Sequence, residues 1–382
     1  MIRKMKRAWQ RKATMAAMMA LAMASTGNVY AMPQDGTVVG GNGHIASQGD
    51  TMTITQGSDK LAINWKSFGI KKGETVHFNQ HLNSDVALNR VIGNRASEIY
   101  GQLSANGHVF LINPNGVLFA RGAEVNVGGL VASTRDIDPQ AFMKAGQNYT
   151  FAGDGNGKVI NAGAITAQGG VVALLAQNVE NSGTITTQGG STALAAGNNI
   201  SIDYEKDGKI NLSVNKTAVK ASVLNSGTLS ADGGYILMTA RDANNVLNTV
   251  VNNTGTIEAK TMSVNEKGEI VLDGGTQGVV EVGGSIDASG DEAGQTAGNI
   301  KAIGAATFVK ADANLKATGD QKGGLIETSG TLLDVDENAT INASSANGLA
   351  GEWLLDPMNV IIDDKGGYEC YKRCHYEWWK DV

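Results

Sequence analysis

The sequence predicts an all-β solenoid, that is, short β-coils stacked along one axis. Short Val, Ile and Thr runs broken by Gly and Asn dominate after residue 25, and these are the residues of strands and turns. Related segments recur from residue 161 onward, as in repeat proteins. Of 382 residues 50 are Gly, but 42 % are hydrophobic and only four are Pro, which is neither a collagen-like nor a disordered composition.

Three segments define the repeat: "NAGAITAQGGVVALLAQ", "NSGTITTQGGSTALAAG" and "NSGTLSADGGYILMTAR". Their alignment superposes three apolar sets: Ile165, Ile185 and Leu229; Leu174, Leu194 and Met238; Ala176, Ala196 and Ala240. Stacked coils would place each set in a dry interior, with Gly and Asn supplying positive φ at the corners. A β-sandwich or propeller of antiparallel hairpins is the alternative. The in-register sets favour a parallel β-helix.

Residues 1–31 have the order of a secretory signal peptide. A basic start precedes the uncharged "ATMAAMMALAMAS", and "NVYA" then places a small-residue cleavage signal that ends at Ala31. An amphipathic helix on the folded protein is the alternative, but the Met/Ala stretch has no polar face. The apolar part is too short for a stable membrane span, and no transmembrane span is expected elsewhere. The full chain has a net charge of −6, and cleavage removes six basic residues, so the mature chain is more acidic still. An acidic chain is a poor candidate for nucleic-acid binding.

One turn stands out in "FLINPNGVLF", residues 110–119. In "NPNG" the Asn can bond back into the turn, Pro presets φ, and the following Asn and Gly suit the last two positions of a type I turn. The residues alone indicate a good turn between two strands.

The wider context of this turn is more specific. The blocks "INWKSFGIKKGETVHFNQ" (63–80), "ALNRVIGNRASEIYGQLSANGHVFLINPNGVLFARGAEVNVGGLVASTRDI" (87–137) and "EWLLDPMNVII" (352–362) follow one another in this order. Together they resemble the N-terminal secretion domain of two-partner secretion exoproteins, the high-molecular-weight adhesins and filamentous haemagglutinins of Gram-negative bacteria. The resemblance covers roughly residues 32–362 and is densest over 60–137. A second family turn is missing, and "FNQHLNSD" (78–85) stands in its place.

The resemblance implies a right-handed parallel β-helix with N-terminal capping strands. It implies export through the periplasm to the cell surface or the medium, by an outer-membrane β-barrel transporter with periplasmic polypeptide-binding domains. The expected product is an adhesin or haemagglutinin, a virulence factor that binds a host-cell receptor or glycan. The residues carried over as recognition residues are Asn113, Pro114, Asn115 and Gly116 of the turn, with Asn89 and Arg90 beside it.

Four segments follow from these observations: a signal peptide (1–31), a secretion domain (32–270), further β-helix repeats (271–362) and an atypical tail (363–382). The tail "GGYECYKRCHYEWWKDV" is aromatic and contains both cysteines. Cys370 and Cys374 are close enough for a small disulfide loop, and some family members use such a pair as an anchor. The alternative is that the tail marks a departure of the reading frame.

The sequence predicts no enzyme, metal site or cofactor. His77, His81 and Asp85 have a metal-like spacing but lack a further ligand cluster, and "GDGNGK" (153–158) lacks the Ser or Thr that completes a phosphate loop. Carboxylates occur singly at turns, whereas a polysaccharide-acting β-helix would need a pair. Such an enzyme and a truncated, non-adhesive remnant are the alternatives to an exoprotein.

Overall fold

The computed structural model describes residues 32–144, 146, 148–204, 210–243, 248–263, 266–357 and 374–377. The predicted signal peptide with Ala31 lies outside these residues, and so does Cys370. The predicted cleavage and the predicted disulfide therefore stay predictions.

Three long sheets form the body of the molecule, and their strands are labelled along the chain. Sheet 1 has 13 strands: β1 Thr37–Gly40, β4 Lys60–Trp65, β6 Val86–Val91, β9 His108–Ile112, β12 Gly129–Ser133, β16 Val171–Ala176, β19 Ser191–Ala196, β24 Tyr235–Ala240, β27 Glu269–Asp273, β30 Asn299–Ile303, β33 Leu325–Gly330, β36 Glu352–Pro357 and β37 Cys374–Glu377.

Sheet 2 has 12 strands: β2 Gly43–Gln48, β3 Thr51–Gln56, β5 Thr75–Gln80, β8 Gln102–Ala105, β11 Glu124–Asn126, β15 Ala164–Thr166, β18 Thr184–Thr186, β23 Thr228–Ser230, β26 Thr256–Glu258, β29 Ser285–Asp287, β32 Asn314–Lys316 and β35 Thr340–Asn342. Sheet 3 has nine: β7 Ser97–Ile99, β10 Val117–Phe119, β14 Lys158–Asn161, β17 Asn178–Asn181, β22 Ser222–Asn225, β25 Thr249–Asn253, β28 Val279–Val282, β31 Ala306–Val309 and β34 Leu332–Val335.

From β7 to β36 the chain visits sheets 3, 2 and 1 in turn, so each of these coils contributes one short strand to each sheet. Neighbouring coils pair in parallel, and all three aligned sets of the repeat stack as predicted. Ile165 pairs with Ile185 and then Leu229, for example, and all three are at most 1 % exposed. The predicted parallel β-helix is confirmed. Sheet 1 continues through β27 across residue 270, and the predicted boundary there stays a prediction.

Two neighbouring glycines explain the sharp corner before sheet 1. Gly169, Gly189 and Gly233 have φ of 66°, 69° and 72°, which L side chains rarely adopt. A Cβ on the following Gly170 would stand 1.8 Å from the carbonyl oxygen of Gly128, in the coil below. The first glycine of each pair thus allows the bend, and the second allows the coils to touch.

The repeated Asn residues have a different role from the predicted one. Among the described residues only Met32, Asp35 and Lys220 have positive φ without being glycine, so the prediction that Asn supplies positive-φ corners is wrong. The side chains of Asn161, Asn181, Asn225 and Asn253 instead form a buried row, here called the Asn ladder. Each Nδ2 donates to the Oδ1 of the next Asn, over 2.8, 2.7 and 2.7 Å, and the last donates to the Gly283 carbonyl oxygen over 2.7 Å.

A flanking motif covers part of the outer face of sheet 1. It consists of a helix, α1 Pro139–Lys144, and a three-stranded antiparallel sheet, β13 Asn148–Ala152, β20 Asn199–Tyr204 and β21 Ile210–Lys216. Phe110 of β9 contacts Phe142 and Tyr149 of this motif, with ring centroids 5.9 and 5.1 Å apart. Sheet 1 is therefore buried on both faces here, which accounts for the uninterrupted apolar run of β16. The repeat pattern of the sequence does not predict this motif.

The N-terminal end is closed by antiparallel strands. β1 pairs with β4, and β2 pairs with β3, while the coils above pair in parallel. The outermost parallel strands of sheets 1 and 2 thus do not present a free edge. This arrangement agrees with the capping strands that the family resemblance implied.

Candidate functional site

The "NPNG" residues form a closed turn between β9 and β10. The Gly116 N–H donates to the Asn113 carbonyl oxygen over 3.0 Å, and the Asn115 N–H donates to Asn113 Oδ1 over 3.0 Å. Gly116 has φ of 124°, and the Asn115 φ is not positive, as a type I turn requires. The predicted turn and its side-chain bond are therefore present.

The turn also holds the loop that precedes β7. Asn113 is fully buried, and its Nδ2 donates to the Arg95 carbonyl oxygen over 2.8 Å and to Ser97 Oγ over 3.0 Å. Asn115 Nδ2 donates to the Gly93 carbonyl oxygen over 2.9 Å. The two Asn side chains thus clamp residues 93–97, one from inside the coil and one from the surface.

Asn89 lies inside the β-helix rather than at the surface. It is fully buried, and its Oδ1 accepts a hydrogen bond from Trp65 Nε1 over 3.0 Å. Trp65 is 1 % exposed and packs edge-to-face on Phe68, with centroids 5.7 Å apart. The Trp-Lys-x-Phe and Asn-Arg blocks are thus two sides of one buried contact, in which Asn89 satisfies the indole N–H.

Arg90 faces the opposite way and forms an ion pair. Its Nε and Nη2 donate to the two carboxylate oxygens of Asp136 over 2.7 and 2.5 Å. The hydrogen bond to Asp136 raises the pKa of Arg90, and the opposite charge adds to it while burial opposes it. Asp136 precedes the flanking helix and also accepts from the Ile137 N–H. Arg90 therefore fixes the flanking motif to β6.

These parts surround a groove of about 840 Å³, here called the turn groove. Its lining combines the turn, the loop it clamps, the end of β6 and the N-terminal cap: Gln34, Asp35, Lys66, Ser67, Arg90, Val91, Ile92, Gly93, Asn94, Arg95, Pro114 and Asn115. Ile92 is 60 % exposed, which is unusual for a residue of its size in this chain. A Cβ on Gly93 would stand 2.0 Å from the Lys66 carbonyl oxygen, so a residue with a side chain would not fit where the loop passes the end of β4.

The turn groove separates the predicted recognition residues into two groups. Pro114, Asn115 and Arg90 line it, whereas Asn113 and Asn89 are buried supports. Gly116 faces the next coil, because its added Cβ would stand 3.3 Å from the Lys158 carbonyl oxygen.

The other candidate segments have structural partners. His77 Nδ1 lies 2.8 Å from Ser104 Oγ, and Asp85 Oδ2 accepts from the Leu82 N–H over 2.8 Å. Over the described ranges no three His, Cys, Asp or Glu side chains are grouped to hold a metal ion. In "GDGNGK" the Gly155 carbonyl oxygen accepts from Nη1 of Arg135, a fully buried side chain. A Cβ on Gly157 would stand 2.4 Å from the Pro114 carbonyl oxygen, so this segment packs on the turn.

Comparison with known proteins identifies the family. Residues 30–291 match the TPS secretion domain, where TPS denotes two-partner secretion. The chain belongs to the TPS secretion domain family. The match includes the turn groove, the Asn ladder and the flanking motif. As a two-partner exoprotein the chain is exported through the periplasm to the cell surface or the extracellular space. In the part of the chain that the structure describes, no helix is long and apolar enough to cross a membrane.

Relatives and one solved structure support this membership. The chain is 37 % identical over 258 residues to the heme/hemopexin-binding protein of Haemophilus influenzae strain Rd, covering 65 % of this chain and 28 % of that protein. A second Haemophilus influenzae heme/hemopexin-binding protein is 38 % identical over 246 residues, covering 58 % and 26 %. The chain thus spans less than a third of these relatives. The crystal structure of the HMW1 secretion domain from Haemophilus influenzae superposes with a TM-score of 0.70 at 28 % identity, over 85 % of this chain and all of that one.

The sequence predicts the turn but not the N-terminal half of the turn groove. The cap residues Gln34 and Asp35 lie close to the turn only because β1 folds back antiparallel onto β4. Ile92 could have been noticed, since it is an apolar residue directly before a Gly-Asn loop. No sequence signal indicated which of the two turn Asn residues is buried.

Proposed function

We propose that this TPS secretion domain directs export of an exoprotein through an outer-membrane transporter with periplasmic polypeptide-binding domains, and that the turn groove is the surface recognised. The observation that carries the proposal is that three short segments, the Lys66-Ser67 pair after β4, residues 90–95 and the turn residues Pro114 and Asn115, line one groove. Fold stability alone does not require the surface parts of these segments to meet.

The chemistry of the groove suits an extended polypeptide. It offers exposed Ile92, the ring of Pro114, the amide of Asn115 and the cations of Lys66 and Arg90. Lys66 lies 3.4 Å from Asp35, and both side chains are largely exposed, so this ion pair can yield to a ligand. An apolar anchor with polar groups around it is typical of peptide grooves.

The test is export in a Gram-negative host with and without the transporter gene encoded beside the chain. We expect release into the medium only with the transporter, and a large loss of release for Asn115→Ala and Ile92→Ser. The control is Asn338→Ala, which removes a surface Asn of another turn that bonds Asp336. Release without the transporter, or equal release of all four chains, would refute the proposal.

The role of the exported protein is a second proposal. We infer a binding protein rather than an enzyme, since the two relatives named above are heme/hemopexin-binding proteins. The adhesin or haemagglutinin role expected from the resemblance competes with heme or hemopexin binding. Hemin titration by absorbance, hemopexin capture and haemagglutination on the exported protein separate the three. Binding in the first two without haemagglutination favours the ligand named for the relatives, and the reverse favours an adhesin.

A further inference from the structure

Glu74 places a carboxylate in the interior of the N-terminal cap. The residue is 8 % exposed and follows the turn between residue 70 and β5. Its Oε2 accepts two backbone N–H groups, from Lys71 over 2.8 Å and from Met32 over 3.0 Å. Within the described ranges, Glu74 forms no salt bridge. A carboxylate that is nearly buried without a cation is costly.

Met32, the second partner, has an unusual backbone. Its φ is 55°, a left-handed value that is uncommon for a residue with a side chain. This φ is the torsion from the carbonyl carbon of residue 31 to that of residue 32, so it exists only while the peptide bond between them is intact. The predicted signal cleavage breaks this bond.

We propose that cleavage after Ala31 turns the Met32 N–H into an ammonium group that forms an ion pair with the nearly buried Glu74 carboxylate and locks the cap. Hydrolysis adds one water across the Ala31–Met32 bond. The water oxygen becomes part of the Ala31 carboxylate, which leaves with the leader. Both water hydrogens end on the Met32 nitrogen, which becomes an ammonium group. The proposal rests on the predicted cleavage site and is independent of transporter recognition.

The chemistry of both groups favours the cleaved state. The Met32 amide has one N–H and no charge. A Met32 ammonium group has three N–H bonds and the positive charge that would balance the Glu74 carboxylate. Charge-assisted hydrogen bonds are shorter and stronger than neutral ones. Cleavage also removes the left-handed constraint on Met32.

Hydrogen bonds of Gln34 would connect the ion pair to the turn groove. The Met32 carbonyl oxygen accepts from Gln34 Nε2 over 3.1 Å. The Gln34 backbone pairs with the two residues that follow β4, donating to the Ser67 carbonyl oxygen over 2.9 Å and accepting from the Lys66 N–H over 3.0 Å. Gln34 and Lys66 both line the turn groove. The cleaved terminus would thus fix one wall of the groove.

The experiment compares full chains that begin at Met32 with chains that begin at Ala31, in the parent and in Glu74→Gln. The chains are released from an N-terminal fusion, so that the first residue is defined and verified by mass spectrometry. Urea unfolding gives the equilibrium constant for each. Glu124→Gln, on exposed β11, is the matched control.

We expect the extra Ala31 to raise the unfolding equilibrium constant of the parent by roughly tenfold. The same extension should have less than a threefold effect in Glu74→Gln and its full effect in Glu124→Gln. If the parent chains that begin at Met32 and at Ala31 have the same unfolding equilibrium constant, the proposal is overturned, and this comparison does not depend on how Glu74→Gln folds. Equal effects in the parent and in Glu74→Gln do so too. Mass spectrometry of the exported protein must also find Met32 first, and any other first residue contradicts the proposal.

Discussion

The two Asn residues of the "NPNG" turn lie in different environments. Asn113 is fully buried and bonds Arg95 and Ser97, whereas the bond from Asn115 to Gly93 is exposed. Loss of a buried amide leaves its partners without hydrogen bonds inside the protein, while water replaces a surface amide. Substitution of Asn113 is therefore expected to cost more folding stability than substitution of Asn115.

Asn113→Ala should lower the free energy of unfolding by about 1–3 kcal/mol, and Asn115→Ala by about 0.5 kcal/mol or less. Urea unfolding of the purified chains measures both. Asn115→Ala should nevertheless be the more informative export variant, because it changes the groove in a chain that still folds. Equal losses of stability would show that the two amides are equivalent supports.

Two tyrosines should make stability depend on alkaline pH. Burial raises the pKa of Tyr149 and of Tyr235 to about 12, with nearby carboxylates adding to the shift. The folded-state pKa lies above the ordinary value of about 10. Their stabilising contribution is therefore complete below pH of about 10 and is lost as the pH rises through about 12.

Absorbance titration of the phenolates, with urea unfolding at each pH, checks this expectation. Tyr149→Phe combined with Tyr235→Phe should remove the latest phenolate step and flatten the loss of stability between these pH values. Tyr100→Phe is the comparison, since burial raises its pKa without such a large shift. A double variant that loses stability as steeply as the parent would contradict the assignment.

At the scale of the elements, the Asn ladder ties together strands from four coils. Asn181 both donates to Asn225 and accepts from Asn161, and it is 1 % exposed. Asn181→Ala removes two buried hydrogen bonds and leaves two amides with an unpaired group. Such groups cost about 1–3 kcal/mol each.

We therefore expect Asn181→Ala to lower the free energy of unfolding by about 2–4 kcal/mol. Asn126→Ala, on the exposed face of β11, is the matched control and should change it by less than about 0.5 kcal/mol. Thermal and urea unfolding report both. A loss no larger than that of the control would mean that water satisfies the ladder positions.

The elements also show how far the sequence could predict the structure. Ile165, Leu174 and Ala176 were aligned correctly with their partners, since an apolar side chain at a repeated position has one favourable direction. Asn161 was misassigned, because Asn suits both a corner and a buried hydrogen-bond row, and composition does not separate the two. The flanking motif was missed because its strands β13 and β20 are about 50 residues apart and pair only in the folded chain.

At the scale of the whole molecule, the two ends of the β-helix should not be equivalent. At the N-terminal end antiparallel strands cover both sheet 1 and sheet 2, whereas the coils from β27 to β36 repeat the same contacts and end on a single antiparallel strand, β37. In a solenoid the stability is approximately a sum over coils and their interfaces. Removing coils from one end should thus have a graded effect, and removing a cap a drastic one.

Deletion of residues 325–382, from β33 onward, should leave a folded chain with a moderately lower unfolding midpoint. Deletion of residues 32–59, which removes β1 to β3, should abolish cooperative folding, because it exposes the edges of β4 and β5 and removes buried Ile54. Circular dichroism during urea unfolding measures both. A cap-deleted chain that unfolds cooperatively near the parent midpoint would refute this asymmetry.

The Asn ladder also determines how such a chain can change in length during evolution. Its rungs are separated by 20, 44 and 28 residues, yet their hydrogen bonds are 2.8, 2.7 and 2.7 Å long. The additional residues between Asn181 and Asn225 include β20 and β21, which leave the coil and join the flanking sheet. A gene segment that encodes one coil from one Asn to the next could therefore be duplicated, and the new Asn would find a donor below it and an acceptor above it. Insertions that start elsewhere in the coil would shift the row out of register.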